Sequence, residues 1–302
     1  MATGRVRLVA NASARGDLAV AEVALAACRA AGWEAELAWT EMRGHGVLLA
    51  EEAAVAGWEL VLSVGGDGTA REVAAGLAGS ETGLGIVPAG TGNSSYRELF
   101  GDAGWRELLE ATLSEPAWRQ VDLLRVDPTG EYSLLGFSAG WFAQIVALAE
   151  SGEGPPGPGR YATAALQAVA DPVRFEATVE LDGAPLVDGE LGLLTAGGAR
   201  VRAAVFPVLP DSSMDDGLLD VLAVRAASPE EFQALLQAVH TGDHVNDPLV
   251  RTGRGRSLVV RAAMPLPIEI DGDLWDRHLG ETRVVVVPGV LRVLAPARPG
   301  TM

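Results

Sequence analysis

Along the first 120 or so residues, short apolar runs alternate with stretches whose apolar positions recur every three or four residues. Arg5 to Ala10 reads as a buried strand. Asp17 to Ala31 reads as a helix with Leu18, Ala21, Leu25 and Cys28 on one face and Gly32 closing it. Glu34 to Trp39 and Leu60 to Val64 are further strands, separated by a helix from about Val47 to Ala56 that Gly57 ends. A helix opens at Thr69 and covers Arg71 to Ala78, Leu84 to Val87 is a fourth strand, and Ala103 to Leu113 is another helix. Strands regularly separated by helices require right-handed crossovers, which lay the strands parallel and cover both faces of the sheet. A doubly wound α/β domain is therefore expected over residues 1–122.

Beyond that point the rhythm changes. Phe175 to Leu181, Leu191 to Ala196, Leu218 to Val224, Leu258 to Ala262, Ile268 to Asp271 and Val284 to Val287 are strand-like, with Gly, Pro and Asp between them and few helical patterns. The expectation is a β-rich, antiparallel, sandwich-like domain over residues 123–288, with 289–302 a C-terminal segment returning to the first domain. Gly152 to Gly159 reads as a Pro/Gly loop. Tyr132 to Ala149 is uncharged but contains Gly136, Ser138, Gly140 and Gln144 and only reaches the minimum length of a membrane span. It reads as a buried strand followed by a small-residue helix.

Charge narrows the function classes. The net charge is -17, from 40 acidic against 23 basic residues, and every basic residue is arginine. So acidic a chain has no basic footprint for nucleic acid and no polybasic anchor for an anionic membrane. The absence of lysine excludes a Walker A loop and a protein-kinase ATP site, both of which place lysine on the phosphates. Any phosphate must be held by peptide amides, arginine or a metal. Cys28 is the single cysteine, which rules out an intrachain disulfide and a thiolate metal cage. With no signal-peptide pattern at the N-terminus, a cytoplasmic location is expected.

Gly65-Gly66-Asp67-Gly68-Thr69 lies between a strand and a helix. Its glycines permit close backbone approach to a ligand, and the helix start offers amides to an anion. A carboxylate at Asp67 would repel phosphate unless a divalent cation or proton stands between them, which points to Mg²⁺. The competing reading is a Gly-rich turn with Asp67 and Thr69 as helix caps. A second loop, Pro88-Ala89-Gly90-Thr91-Gly92-Asn93, follows the fourth strand. Asn11, Ser13 and Gly16 follow the first strand and Thr40 the second. Four strand ends carrying such residues favour a nucleotide crevice.

These residues, with Glu72, Thr40-Glu41, Gly44-His45, Asp216-Gly217-Leu218-Leu219-Asp220 and Asp271-Gly272, resemble the diacylglycerol kinase/sphingosine kinase catalytic family, and most of all its bacterial soluble lipid kinases, which share an NAD kinase-like fold. The resemblance runs in family order from Asn11 to about Val293. It implies a two-domain, ATP-dependent and Mg²⁺-dependent enzyme that phosphorylates a lipid hydroxyl, as of diacylglycerol, at a membrane surface, with ATP and the lipid hydroxyl in the cleft between domains. By similarity, Asn11, Ser13, Thr40, Gly65, Gly66, Asp67, Gly68, Thr69, Glu72, Gly90, Thr91 and Asn93 would serve ATP. Ser213, Asp216 and the Leu218 backbone would hold a metal, and Asp273, with Asp271 and Asp67, would carry the chemistry. The resemblance also leaves room for a homodimer.

The chain departs from the family pattern at Ala12, Arg71 and Thr195 to Ala199, and at Asp273, where the family has a glutamate one methylene longer. The other readings are an NAD kinase-like enzyme, whose later Gly-Ser-Thr-Ala-Tyr motif is absent here, and a catalytically weak nucleotide- or lipid-binding regulator. His240, His244 and His278 lack metal-ligand spacing. Arg97 reads as a surface residue, and Leu134 to Leu148 reads as core in preference to an acyl-chain lining.

Overall fold

The computed structural model describes residues 4–11, 17–152, 158–202, 206–264, 266–275 and 280–295. The chain forms two compact units, Met1–Asp122 with Gly289–Met302, and Leu123–Pro288.

The first unit follows the strand and helix alternation written in its apolar pattern: β1 (Arg5–Asn11), α1 (Asp17–Ala30), β2 (Glu34–Thr40), α2 (His45–Val55), β3 (Leu60–Gly65), α3 (Asp67–Leu77), β4 (Gly83–Pro88), α4 (Ser94–Phe100) and α5 (Trp105–Ser114). The four strands pair in parallel in the order β2-β1-β3-β4. The chain therefore leaves β1 in one direction to reach β2 and crosses back to the other side for β3. A crevice opens at such a switch point, outside the carboxyl ends of the strands. β3 is buried along its whole length, as a central parallel strand covered on both faces must be. Val6, Leu8, Leu60, Leu62 and Val64 pack with Ala21, Ala24 and Cys28 of α1 and with Leu109 and Leu113 of α5. α3 begins at Asp67, a half-turn earlier than the pattern suggests, and the short α4 carries too few residues to show a period.

β5 (Ala117–Asp127) leads into the second unit, whose elements are β6 (Glu131–Ser133), β7 (Gly136–Gly140), α6 (Trp141–Ser151), α7 (Pro158–Ala170), β8 (Phe175–Leu181), β9 (Ala184–Gly197), β10 (Leu219–Arg225), α8 (Pro229–Val239), β11 (Val250–Gly255), β12 (Ser257–Ala262), β13 (Ile268–Ile270), β14 (Asp273–Trp275) and β15 (Glu281–Ala295). Its pairings are antiparallel, in the order β14-β13-β7-β9-β8-β12-β15, with β10 joining β9 to β11. One apolar core is built from sheet residues such as Phe137, Leu194, Val221, Leu258 and Ile270. A second sits under the helices, where Trp141, Phe142, Phe206 and Phe232 interlock, Trp141 and Phe232 edge to face at 5.0 Å. The Leu134 to Leu148 segment is thus core.

Helices are better represented here than the sequence pattern suggests. α7 starts within the expected Pro/Gly loop because Pro158 suits the first turn of a helix, where no N–H is needed. α8 starts with a full capping box, Ser228 accepting from the Glu231 amide and Glu231 accepting from that of Ser228. β15 is a long strand. Its first part pairs with β12, and in the first unit Val293 pairs in parallel with Leu84 of β4.

Candidate active site

Strand register aligns the expected nucleotide residues. Asn11 stands beside Thr40 at the ends of β1 and β2, Ala10 beside Val64, and Gly65 beside Pro88 at the ends of β3 and β4. Ser13 and Gly16 lie outside the described residues. The two glycine loops are pressed against each other, backbone to backbone. The Ala89 amide donates to the Gly65 carbonyl at 2.9 Å. A Cβ on Gly90 would run into the Gly66 backbone, and one on Gly65 would stand 2.6 Å from Thr69 Oγ1. Such closeness needs glycine on both sides, which explains the residue types without invoking a ligand.

Asp67 ties the loops together. Its Oδ1 accepts the Ser95 amide at 2.7 Å, while a Cβ on Gly92 would stand only 3.0 Å from its Oδ2. Asn93 adopts the left-handed conformation, φ 51°, and its side-chain amide both accepts from the Gly90 N–H and donates to the Gly90 carbonyl, each at 2.9 Å. The 90–93 turn is thereby closed on itself, with Thr91 exposed at its tip. Helix α3 starts in this nest without a side-chain cap at Gly66, so its first-turn amides face the crevice. Glu72 lies apart from that face. Its two carboxylate oxygens accept the Gly44 and Gly46 amides at 2.8 and 2.9 Å, anchoring the start of α2. His45 accepts the Glu41 amide through Nδ1. The Cys28 thiol is pushed up to about 12 by burial and is no nucleophile.

In the second unit the Asp271-Gly272 pair forms a two-residue turn, both residues at positive φ (52° and 89°), and joins β13 to β14 with Ile270 opposite Asp273. Asp271 is buried. It accepts from Ser133 Oγ and the Leu134 amide at 2.6 Å each, and from the Leu135 and Gly136 amides at 2.9 Å. It is the anchor of the 133–136 strand entry. Asp273, next along the hairpin, is half-buried. The Tyr161 phenol of α7 is raised first by its burial and then by the charges of Glu150, Asp273 and Glu269.

Two further residues of this neighbourhood were not expected from the sequence. Glu269, buried in β13, bonds the Gly272 amide, and its carboxyl is raised to about 7, chiefly by burial. Arg202 is buried against Thr195 Oγ1 and the Ala196 and Ala199 carbonyls, all at 3.2 Å, and fixes the segment where the family pattern is broken. A glutamate flanked by Ile268 and Ile270 in a three-residue strand was a readable anomaly; Arg202 carried no sequence signal.

The expected metal loop has a different occupant. Asp216 Oδ1 accepts the Leu218 amide at 3.0 Å, its Oδ2 is ion-paired with Arg254, and Ser213 donates to Asp215 at 2.5 Å. Among the described residues no group of three acidic, His or Cys side chains is arranged to hold a metal. With Asp216 paired to Arg254 and to the Leu218 amide, and Ser213 turned to Asp215, this set as it stands offers a divalent ion too few open oxygens. Asp67 does fit one that arrives on a triphosphate, since Mg²⁺ commonly takes one or two carboxylates together with substrate phosphates.

Residues 5–126 match the diacylglycerol kinase catalytic domain model, and residues 136–295 match the YegS C-terminal NAD kinase beta sandwich-like domain model. The chain belongs to the diacylglycerol kinase/YegS-like lipid kinase family. Among its relatives is the diacylglycerol kinase of Bacillus subtilis, 26% identical over 83% of each chain. Another is a Pseudomonas aeruginosa protein named probable lipid kinase YegS-like, 32% identical over 97% of this chain and 95% of that one. A solved Bacillus anthracis structure shares the fold, with a TM-score of 0.80 at 20% identity, covering 99% of this chain and 97% of that chain. No helix among the described residues is long and apolar enough to cross a membrane.

Proposed function

We propose that this lipid kinase transfers the γ-phosphoryl group of ATP to the free hydroxyl of diacylglycerol or a closely related lipid, with Asp273 accepting the hydroxyl proton. Phosphoryl transfer asks little covalent chemistry of a protein; it needs the phosphates held in place, their charge offset and the nucleophile's proton removed. The observation that carries the reading is the uncapped start of α3 beside the Gly66–Gly90 contact, whose first-turn amides can grip phosphates in a lysine-free chain. Asn11, Thr40 and Thr91 complete the polar rim at the strand ends.

Asp67 would meet the Mg²⁺ that accompanies the nucleotide, which supplies charge neutralisation on the phosphates when bound. In the reaction the lipid oxygen forms a bond to the γ-phosphorus and its proton passes to the Asp273 carboxylate. The bond from that phosphorus to the bridging oxygen breaks, and ADP departs with the electron pair. Asp271 holds the hairpin that presents Asp273. The substrate is met at a membrane surface, where the protein acts peripherally.

Purified protein incubated with [γ-³²P]ATP, Mg²⁺ and diacylglycerol in mixed micelles should yield labelled phosphatidate. Intact ATP binding with no labelled product across a panel of hydroxylated lipids would overturn the proposal in favour of a non-catalytic regulator.

A further inference from the structure

The turn from Ser213 to Asp220 contains Asp215, Asp216 and Asp220, with Asp211 just before it, so like charges crowd there. The family resemblance implies a divalent ion there, yet an arginine of this chain is paired with the turn's carboxylates. Arg254 sits on β11 directly opposite Asp220 of β10 in the antiparallel register, so the ladder itself delivers the guanidinium to the turn. One of its nitrogens, Nη2, pairs with Asp216 Oδ2, and Nε lies 3.6 Å from Asp220 Oδ2. The other Asp216 oxygen is occupied by the Leu218 amide. Gly217, at φ 73°, makes the tight return that lets Asp216 accept from a residue two positions on.

We infer that Arg254 replaces the divalent cation in this turn, bridging Asp216 and Asp220 so that the loop is formed without metal. A guanidinium suits such a bridge, since it is always charged, its donors form a rigid fork, and it spans two carboxylates that a point charge would have to draw together. A magnesium ion would demand near-octahedral oxygen ligands at short range and would have to expel the arginine first. The inference concerns how the turn is held rather than what is phosphorylated, so it can stand or fall independently of the proposed reaction.

The test uses the nucleotide-free full chain, Mn²⁺ binding by electron paramagnetic resonance, and thermal melts in EDTA or Mg²⁺ at matched ionic strength. Wild type and Asp216→Asn should bind the same number of Mn²⁺ ions, and the wild-type melting temperature should be the same in EDTA and in Mg²⁺. Arg254→Gln should melt lower in EDTA, gain one Mn²⁺ and recover stability on adding Mg²⁺; the double variant with Asp216→Asn should lose that gain. Loss of one bound Mn²⁺ from wild type on Asp216→Asn, or an Arg254→Gln protein that stays blind to both ions, would overturn the inference. Should Arg254→Gln fail to fold, the comparison of wild type with Asp216→Asn decides alone.

Discussion

Asp67 and Asp271 are both aspartates beside glycine in turns, and only their surroundings separate them. Asp271 spends its oxygens on four donors in a buried site. Replacing it with Asn turns an acceptor into a donor facing N–H groups, so Asp271→Asn should cost on the order of 2–4 kcal/mol in urea unfolding. Asp67 bonds one amide, which an asparagine oxygen can also accept. Asp67→Asn should therefore fold with nearly unchanged stability and lose roughly 10²-fold in kcat, the scale expected when a metal's protein partner is removed. Equal stability losses in the two variants, or full activity in Asp67→Asn, would contradict this division. The glycine and aspartate positions were legible as motifs because glycine and carboxylate requirements are local. The partners were not, since Ser133 is 138 residues from Asp271 in the chain and no spacing rule reports such a pairing.

At the scale of elements, the hairpin β13–β14 sets a pH dependence. Burial in β13 lets folded Glu269 keep its proton up to about 7, against the ordinary 4.5. A carboxyl raised on folding contributes stability that is complete below the unfolded value and disappears as pH climbs through the folded one. Stability from this group should hence fall between about pH 4.5 and 7, by about 2 to 3 kcal/mol. Glu269→Gln should remove that slope while keeping an acceptor for the Gly272 amide, as urea titrations at pH 5 and 8 can check; an identical slope in the variant would be inconsistent with a buried, protonated Glu269. Elements themselves were readable where length and period agree, as in the first unit. α8 carries a capping signature, Ser228-Pro229-Glu230-Glu231, that a reading weighted to strand-like runs passes over. α7 was hidden because Pro158 and Gly159 suit a loop as well as a helix start.

For the whole molecule, the change of rhythm near residue 120 follows from apolar pattern, whereas the pairing of β15 with β4 and the order β2-β1-β3-β4 depend on side-by-side packing that pattern does not encode. The fold brings together two glycine loops 24 residues apart in the sense that Gly66 and Gly90 touch. In the reaction proposed above, that contact is what would let a chain of net charge -17 with no lysine take up a polyanion. Isothermal titration with MgATP tests it most directly. Wild type should give saturable one-site binding, and Gly90→Ala, whose added methyl forces the loops apart, should keep its fold by circular dichroism and weaken binding at least about tenfold, or about 1.4 kcal/mol. Absence of any binding heat from wild type, or an undiminished affinity in Gly90→Ala, would contradict the account.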